Sequence, residues 1–266
     1  MVCPDEQPID FFENIKIFEE QFCNKEIFIF LDYDGTLTPI VDTPDKAVMP
    51  SDTKKLVETL SGFYKVSIVS GRATDDVRQK VNIKDLFYAG SHGFEIVYPD
   101  GTVQVNEEAK KISRTINAAY EELYHRLRDV KGALVENVKY TISTHYRLVS
   151  DEDFPKVEQA VDETLQHHQN LRKTHGKRVF ELRPDIDWDK GKAVEWILNV
   201  LNFDQEKHAA VYIGDDTTDE DAFKVLERRG AGIRVVDEPK ESYARYSVKD
   251  TEAVKDVLKY FIDKKS

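Results

Sequence analysis

Two aspartates two residues apart, Asp32 and Asp34, follow directly on the apolar run Ile27-Phe28-Ile29-Phe30-Leu31 and lead into Gly35 and Thr36. Side chains at i and i+2 of an extended backbone point the same way. Two carboxylates in one pocket need a cation between them or a proton on one of them; an ordinary turn cap is the alternative. A second acidic cluster, Asp215, Asp216, Asp219, Glu220 and Asp221, puts five acids in seven residues after the run Ala209–Ile213. Helix N-caps account for one or two of these, and a hard, oxygen-ligated cation such as Mg²⁺ accounts for more. Lys190 stands at the start of a helical pattern, where a cation opposes the helix dipole, so it makes sense beside an anion or a carboxylate pair. Ser70 ends another apolar run and precedes Gly71 and Arg72; it reads as a helix cap or as a hydroxyl facing a pocket. Arg72 is close enough to assist it, or is a surface residue. His92, between Ser91 and Gly93, is either a turn element or a pocket group.

The elements that must position these groups are short and apolar. The run from Ile27 has the unbroken β-branched and aromatic character of a strand buried on both faces of a parallel sheet. The carboxyl ends of such strands open onto the ligand crevice, and Gly35 allows the sharp exit from it. Further strands are expected at Tyr64–Val69, Leu86–Gly90 and Ala209–Ile213, with helices at Asp52–Leu60 and through Val194, Ile197, Leu198 and Leu201. Phe94–Tyr98 and Thr102–Val105 read as a hairpin turning at Pro99-Asp100-Gly101. Phe11, Ile15, Phe18 and Phe22 mark an amphipathic helix over 10–22. The pattern changes between Asn106 and about Arg183. A long helix runs through Ile112, Ile116, Leu123, Leu127 and Val130; alternating strands follow at Ala133–Glu136 and Tyr140–Leu148. A helix through Phe154, Val157, Val161 and Leu165 and a strand at Val179–Leu182 complete it. This is a small α+β unit inserted in a doubly wound, mostly parallel α/β fold; such insertions act as lids. The expected organisation is an N-terminal helix in 1–25, a core in 26–106 and 185–266, and a cap in 107–184.

Composition is globular: 266 residues, 40% hydrophobic and 33% charged, enough for one large core with a smaller domain. A net charge of −12 disfavours nucleic acid or an anionic membrane as partner and requires a locally positive site for an anionic substrate. Cys3 and Cys23 are too few for a disulfide framework and lack metal-site spacing. The start, MVCPDEQP, has no apolar core of a secretory signal, and no apolar run approaches the ~20 residues of a membrane span. A soluble, cytoplasmic protein is expected.

The string DYDGTLT at 32–38 resembles the first motif of the haloacid dehalogenase superfamily, and Ser70, Lys190 and the cluster at 214–221 follow in the order of its other three motifs. GSHGFE at 90–95, VENVKYTISTHYR at 135–147, FELRP at 180–184, WDKGKA at 188–193 and GDDTTDEDAF at 214–223 narrow the resemblance to the trehalose-6-phosphate phosphatase family, over most of 26–261. The Glu136-x-x-Lys139 spacing is closer to eukaryotic, especially plant-like, members than to many bacterial ones, whose lysine sits one residue nearer the glutamate.

The resemblance implies a phosphatase that converts trehalose 6-phosphate to trehalose, the last step of trehalose biosynthesis. It makes Asp32 the nucleophile that forms an aspartyl-phosphate and Asp34 the general acid and base. Mg²⁺ is held by Asp32, the backbone carbonyl of Asp34 and Asp215, with Asp219 or Asp216 orienting its waters. Ser70 and Lys190 bind the transferring phosphoryl group. Glu136, Lys139 and Glu181 are expected on the distal glucose, with His92 and Gly93 lining the junction. Arg72, His145, Arg147 and Arg183 are further candidates, although the last three could instead support the cap. A phosphatase of the same superfamily acting on sucrose phosphate or mannosyl-phosphoglycerate, and a non-catalytic trehalose 6-phosphate sensor or synthase subunit, are the competing readings. No feature identifies a synthase partner.

Overall fold

The computed structural model describes residues 7–238 and 240–265. In chain order the elements are β1 (Ile9–Asp10), α1 (Ile15–Gln21), β2 (Glu26–Leu31), α2 (Ser51–Ser61), β3 (Lys65–Val69), α3 (Thr74–Val81), β4 (Phe87–Gly90), β5 (Glu95–Val97) and β6 (Val103–Val105). There follow α4 (Glu107–Lys111), α5 (Ser113–Leu127), β7 (Leu134–Asn137), β8 (Ile142–His145), α6 (Phe154–His167), β9 (Leu171–Gly176) and β10 (Val179–Pro184). The chain closes with α7 (Lys190–Val200), β11 (His208–Gly214), α8 (Glu220–Leu226), β12 (Gly230–Val235), β13 (Tyr246–Val248) and α9 (Thr251–Asp263).

Nine strands form one sheet in the order β1-β13-β12-β11-β2-β3-β4-β5-β6. The pairs from β1 to β4 are parallel, and β5 and β6 extend the edge antiparallel. Alternation along the central strands sorts side chains to two faces. Ile29, Leu31, Val211 and Ile213 join a cluster with α1, α2, α3 and α9, while Phe28, Phe30, Ala210 and Tyr212 join another with α7 and α8. Burial on both faces is what an unbroken apolar strand requires. The fold class is therefore α/β with a mostly parallel central sheet.

The four strands β7-β8-β10-β9 form a second, wholly antiparallel sheet. Its apolar face packs on α5 and α6 through Ile116, Leu123, Ile142, Val157, Val161 and Phe180, a cluster separate from those of the large sheet. A small cluster of Phe94, Ala109 and Tyr140, with Ile186 and Trp188 against it, lies where the chain passes between the two units.

The expected N-terminal helix is shorter than its apolar spacing suggests. Phe11 is fully buried, but it follows the strand Ile9–Asp10, which pairs with Tyr246 and Ser247, and the helix starts only at Ile15. Residues 1–6 of that segment, Cys3 among them, lie outside the described residues. The expected long helix is α5, which ends at Leu127, short of Val130, and is preceded by the short α4, which the spacing did not mark. The alternation over 140–148 yields a strand only at Ile142–His145. Among the described residues no helix is long and apolar enough to cross a membrane.

Candidate active site

The ends of β2, β3, β4 and β11 converge on one cleft of 430 Å³, closed on its other side by β7, β8 and the β9–β10 turn. Such a volume suits a small organic ligand. Asp32, at the end of β2, is buried and accepts from Lys190 Nζ at 2.8 Å. Lys190, the first residue of α7, also donates to Asp219 Oδ1 at 2.7 Å. Burial pushes the Asp32 carboxyl well above the usual range against the pull of Lys190, and Asp219 and Asp215 push it the same way. Burial would strip the proton from Lys190, but Asp219 and Asp32 hold its pKa well above that of a free lysine. The unfavourable place of a lysine at a helix start is thus explained by the carboxylates it faces.

Asp215 follows β11 and reaches the same spot. Gly35 makes this possible: its φ is +79°, and a Cβ there would lie 2.0 Å from Asp215 Oδ2. Oxygens of Asp32, Asp215 and Asp219 come within 4.8 Å of one another. Asp215 Oδ1 is buried with no hydrogen-bond partner among the described residues, and burial raises the Asp215 pKa to about 7. Three convergent carboxylates with one orphaned oxygen are a donor set for a hard divalent cation. Asp219 is the least available of the three. Its Oδ1 accepts from Lys190 and from Tyr212 Oη at 2.6 Å, and its Oδ2 accepts from the Asp216 amide at 2.9 Å. Asp216 in turn caps the 3₁₀ turn Thr217–Asp219 through Thr217 N. Asp219 thus orients the site from behind, while Asp216 reaches the cleft wall.

Asp34 faces the cleft and is gripped by Arg72, whose Nε and Nη2 donate to its two oxygens at 2.7 Å each. Arg72 is itself fixed by Asp76, the Pro44 carbonyl and the Tyr33 ring. Ser70 is not a helix cap, because α3 starts at Thr74 with Ala73 as its cap. Its Oγ accepts from the Arg72 amide at 3.1 Å, which leaves the hydroxyl proton free to donate.

Ser91, His92 and Gly93 all take left-handed φ, +47°, +56° and +87°. A Cβ on Gly93 would lie 2.2 Å from that of Ala193, so this glycine lets α7 approach. His92 Nε2 lies 2.9 Å from Glu181 Oε1, and Arg183 Nη2 lies 3.1 Å from His92 Nδ1 and 3.0 Å from Nε2. Arg183 also pairs with Glu181 Oε2. Burial first and the Arg183 cation second lower His92 to about 4. A neutral ring fits these partners: Nε2–H donates to Glu181 and Nδ1 accepts from Arg183. Burial would raise Glu181, but His92 and Arg183 outweigh it and keep the carboxylate ionised.

From the side of the second sheet, Glu136 and His145 pair at 2.7 Å, and Arg147 donates to the Lys177 carbonyl at 2.7 Å; all of these line the cleft. Lys139 does not. Its backbone is left-handed, at φ +68°, and its ammonium pairs with the buried Glu95 of β5. The residue expected on the distal sugar instead joins the unit of the second sheet to β5 of the first. Arg183 lies behind the cleft wall, acting on Glu181 and His92. Lys177, on the β9–β10 turn, went unforeseen, yet its Nζ donates to Asp215 Oδ2 at 2.5 Å. An exposed lysine in a hairpin turn carries no local signal of this contact.

A mostly parallel α/β sheet carries an aspartate pair after its central strand, a lysine at a helix start and acids after the neighbouring strand, the arrangement expected of the haloacid dehalogenase-type phosphatases whose motifs this sequence resembles. Residues 30–252 match the family described as Trehalose-phosphatase. The chain is 44% identical over 261 residues to probable trehalose-phosphate phosphatase G of Arabidopsis thaliana, covering 90% of this chain and 69% of that protein. It is 40% identical over 256 residues to trehalose 6-phosphate phosphatase RA3 of Zea mays, covering 91% and 71%. The C-terminal domain of the C. albicans trehalose-6-phosphate phosphatase superposes with a TM-score of 0.81 at 20% identity, over 98% of this chain and 100% of that one, a likeness of fold. The chain belongs to the trehalose-phosphatase family.

Proposed function

We propose that this protein hydrolyses trehalose 6-phosphate to trehalose and phosphate through an aspartyl-phosphate on Asp32, with Mg²⁺ as cofactor. The observation that carries this reading is Asp32 held by Lys190 beside the half-partnered Asp215, under a cap face bearing Glu136 and Glu181. In this reading residues 26–106 and 185–266 form the catalytic core and 107–184 the specificity cap.

Asp32 attacks the phosphorus, and the bond to the sugar oxygen breaks as Asp34 supplies that oxygen with a proton. Water then attacks the aspartyl-phosphate, Asp34 takes its proton, and phosphate leaves with Asp32 restored. Arg72 aims the Asp34 carboxyl at the cleft and must yield one oxygen for this exchange. Lys190 and the Ser70 hydroxyl hold the equatorial oxygens, where transition-state charge is spread. Asp32, Asp215 and the Asp34 carbonyl would hold Mg²⁺, with Asp219 and Asp216 behind them. Bound there, Mg²⁺ neutralises charge between a carboxylate nucleophile and a phosphate dianion. Glu136, His145 and Arg147 read the distal glucose hydroxyls, and Glu181, fixed by His92 and Arg183, reads those nearer the core; a site that hydrogen-bonds hydroxyls rejects sugars lacking them.

The test is phosphate release across trehalose 6-phosphate, sucrose 6-phosphate, glucose 6-phosphate and an aryl phosphate. Preference for trehalose 6-phosphate, abolished by EDTA and reduced about 10⁵-fold or more in Asp32→Asn, is expected. Near-wild-type turnover in Asp32→Asn refutes the nucleophile. Equal turnover of all four substrates refutes the cap reading.

A further inference from the structure

Asp215 differs from its neighbours in where its counter-charge comes from. Asp32 and Asp219 are neutralised from within the core by Lys190. Among the described residues, the ammonium paired with Asp215 belongs to Lys177, on the turn between β9 and β10 of the second sheet. The hairpin tip touches the acidic loop at two further places. Thr217 Oγ1 donates to the His175 carbonyl at 3.2 Å, and a Cβ on Gly176 would sit 3.1 Å from Asp216 Oδ2. Asp215 is buried while the Lys177 side chain is nearly half exposed, so the lysine can withdraw into water and the aspartate cannot.

We infer that Lys177 is a positioning residue that competes with the divalent cation for Asp215, so that metal occupancy in the core governs whether the β9–β10 hairpin is docked. The inference rests on the reading of Asp215 as a metal ligand. Two cations at contact distance from one buried carboxylate repel with little water to screen them. Before metal arrives, Lys177 offsets the charge that Asp215 adds to Asp32 and Asp219. Once metal is bound, the ammonium is surplus and the hairpin loses the tie that holds it to the acidic loop. Linkage makes the effect mutual: docking of Lys177 weakens metal binding by the same factor that metal weakens docking. Metal loading then favours the lifted hairpin through which a substrate reaches the cleft.

The test uses the full chain and Mn²⁺, with free ion followed by electron paramagnetic resonance and the hairpin followed by hydrogen exchange over residues 171–184. Lys177→Met should bind Mn²⁺ about tenfold more tightly than wild type, within the usual range of intersite coupling; Lys177→Arg should resemble wild type. Mn²⁺ should lower hairpin protection in wild type, whereas in Lys177→Met protection should start low and not respond. Asp215→Asn should lose both Mn²⁺ binding and the response. Equal affinities in wild type and Lys177→Met, or hairpin exchange indifferent to Mn²⁺ in wild type, would overturn the inference and leave the metal site standing. Failure of wild type to bind Mn²⁺ would instead remove the metal site and the inference with it. Circular dichroism on each variant separates loss of binding from loss of fold.

Discussion

At the scale of single residues, the site works by leaving one group incompletely satisfied. Lys190 and Tyr212 occupy Asp219, and Lys190 occupies one oxygen of Asp32, whereas Asp215 keeps a buried oxygen without a partner among the described residues. An unpaired buried carboxylate costs stability, and its pKa records the cost: burial raises Asp215 to about 7. The sign of the consequence follows directly. Below pH 7 the folded protein keeps a proton on Asp215, and that proton must leave before a cation binds. Metal affinity is therefore expected to fall about tenfold per pH unit below 7 and to level off above it. Mn²⁺ titrations between pH 5.5 and 8.5 check this, and a flat profile would show that Asp215 is ionised throughout. Lys190 was legible in the sequence because it breaks a local rule, a cation at a helix start; Ser70, which on its own read equally as a helix cap, was legible only through its place in the order of the motifs. Lys139 and Lys177 were not. Which of two exposed lysines reaches the site depends on how one unit lies against the other, and neither composition nor spacing records that.

At the scale of elements, legibility tracked burial. The run that became β2 is apolar throughout because both faces are covered, and it reads as a strand without help. β12, GAGIRV, is buried just as fully but signals weakly. Its glycines are there for close approach, since a Cβ on Gly230 would lie 1.7 Å from the Ala210 carbonyl oxygen. β9, LRKTHG, is a polar edge strand of the second sheet, recognisable only through its pairing with β10. By contrast, α9 has its helical spacing plain in Val254, Val257, Leu258 and Phe261. Gly35 shows how an element end sets the chemistry. Replacing it by alanine forces a left-handed alanine, at about 1–2 kcal/mol, and drives a methyl into Asp215. Gly35→Ala should lower Tm by about 5 °C and weaken Mn²⁺ binding more than it weakens the fold. If calorimetry found the Tm loss while Mn²⁺ affinity stayed at the wild-type value, Asp215 would not depend on that turn.

At the scale of the whole molecule, two units with separate apolar cores meet through the small apolar cluster of Phe94, Ala109 and Tyr140 and through charged and polar contacts. Lys139 reaches Glu95 at one end of the junction, Ser91 Oγ donates to the Val138 carbonyl beside it, and His92 meets Glu181 and Arg183 further in. The histidine makes this junction sensitive to acid. Its folded pKa, about 4, lies below the 6.5 of a free imidazole, because burial and the Arg183 cation disfavour the imidazolium. A histidine held neutral stabilises the fold above its unfolded pKa, and that contribution is lost as pH falls from about 6.5 through the folded value. Glu181 has the same sign, since its depressed pKa means the carboxylate must be ionised for the fold to gain from it. The His92 shift corresponds to about 3 kcal/mol at neutral pH, which in a chain of this size is a Tm loss of about 10 °C between pH 7 and pH 4. His92→Gln keeps a neutral donor and acceptor but cannot take the proton. Its Tm at pH 7 should lie below that of wild type, and its decline on acidification should be shallower by most of that interval. Thermal melts of both proteins across the range decide the matter: parallel curves would place the acid sensitivity in other groups, and a steeper fall in His92→Gln would mean that the imidazolium, not the imidazole, holds the two units together.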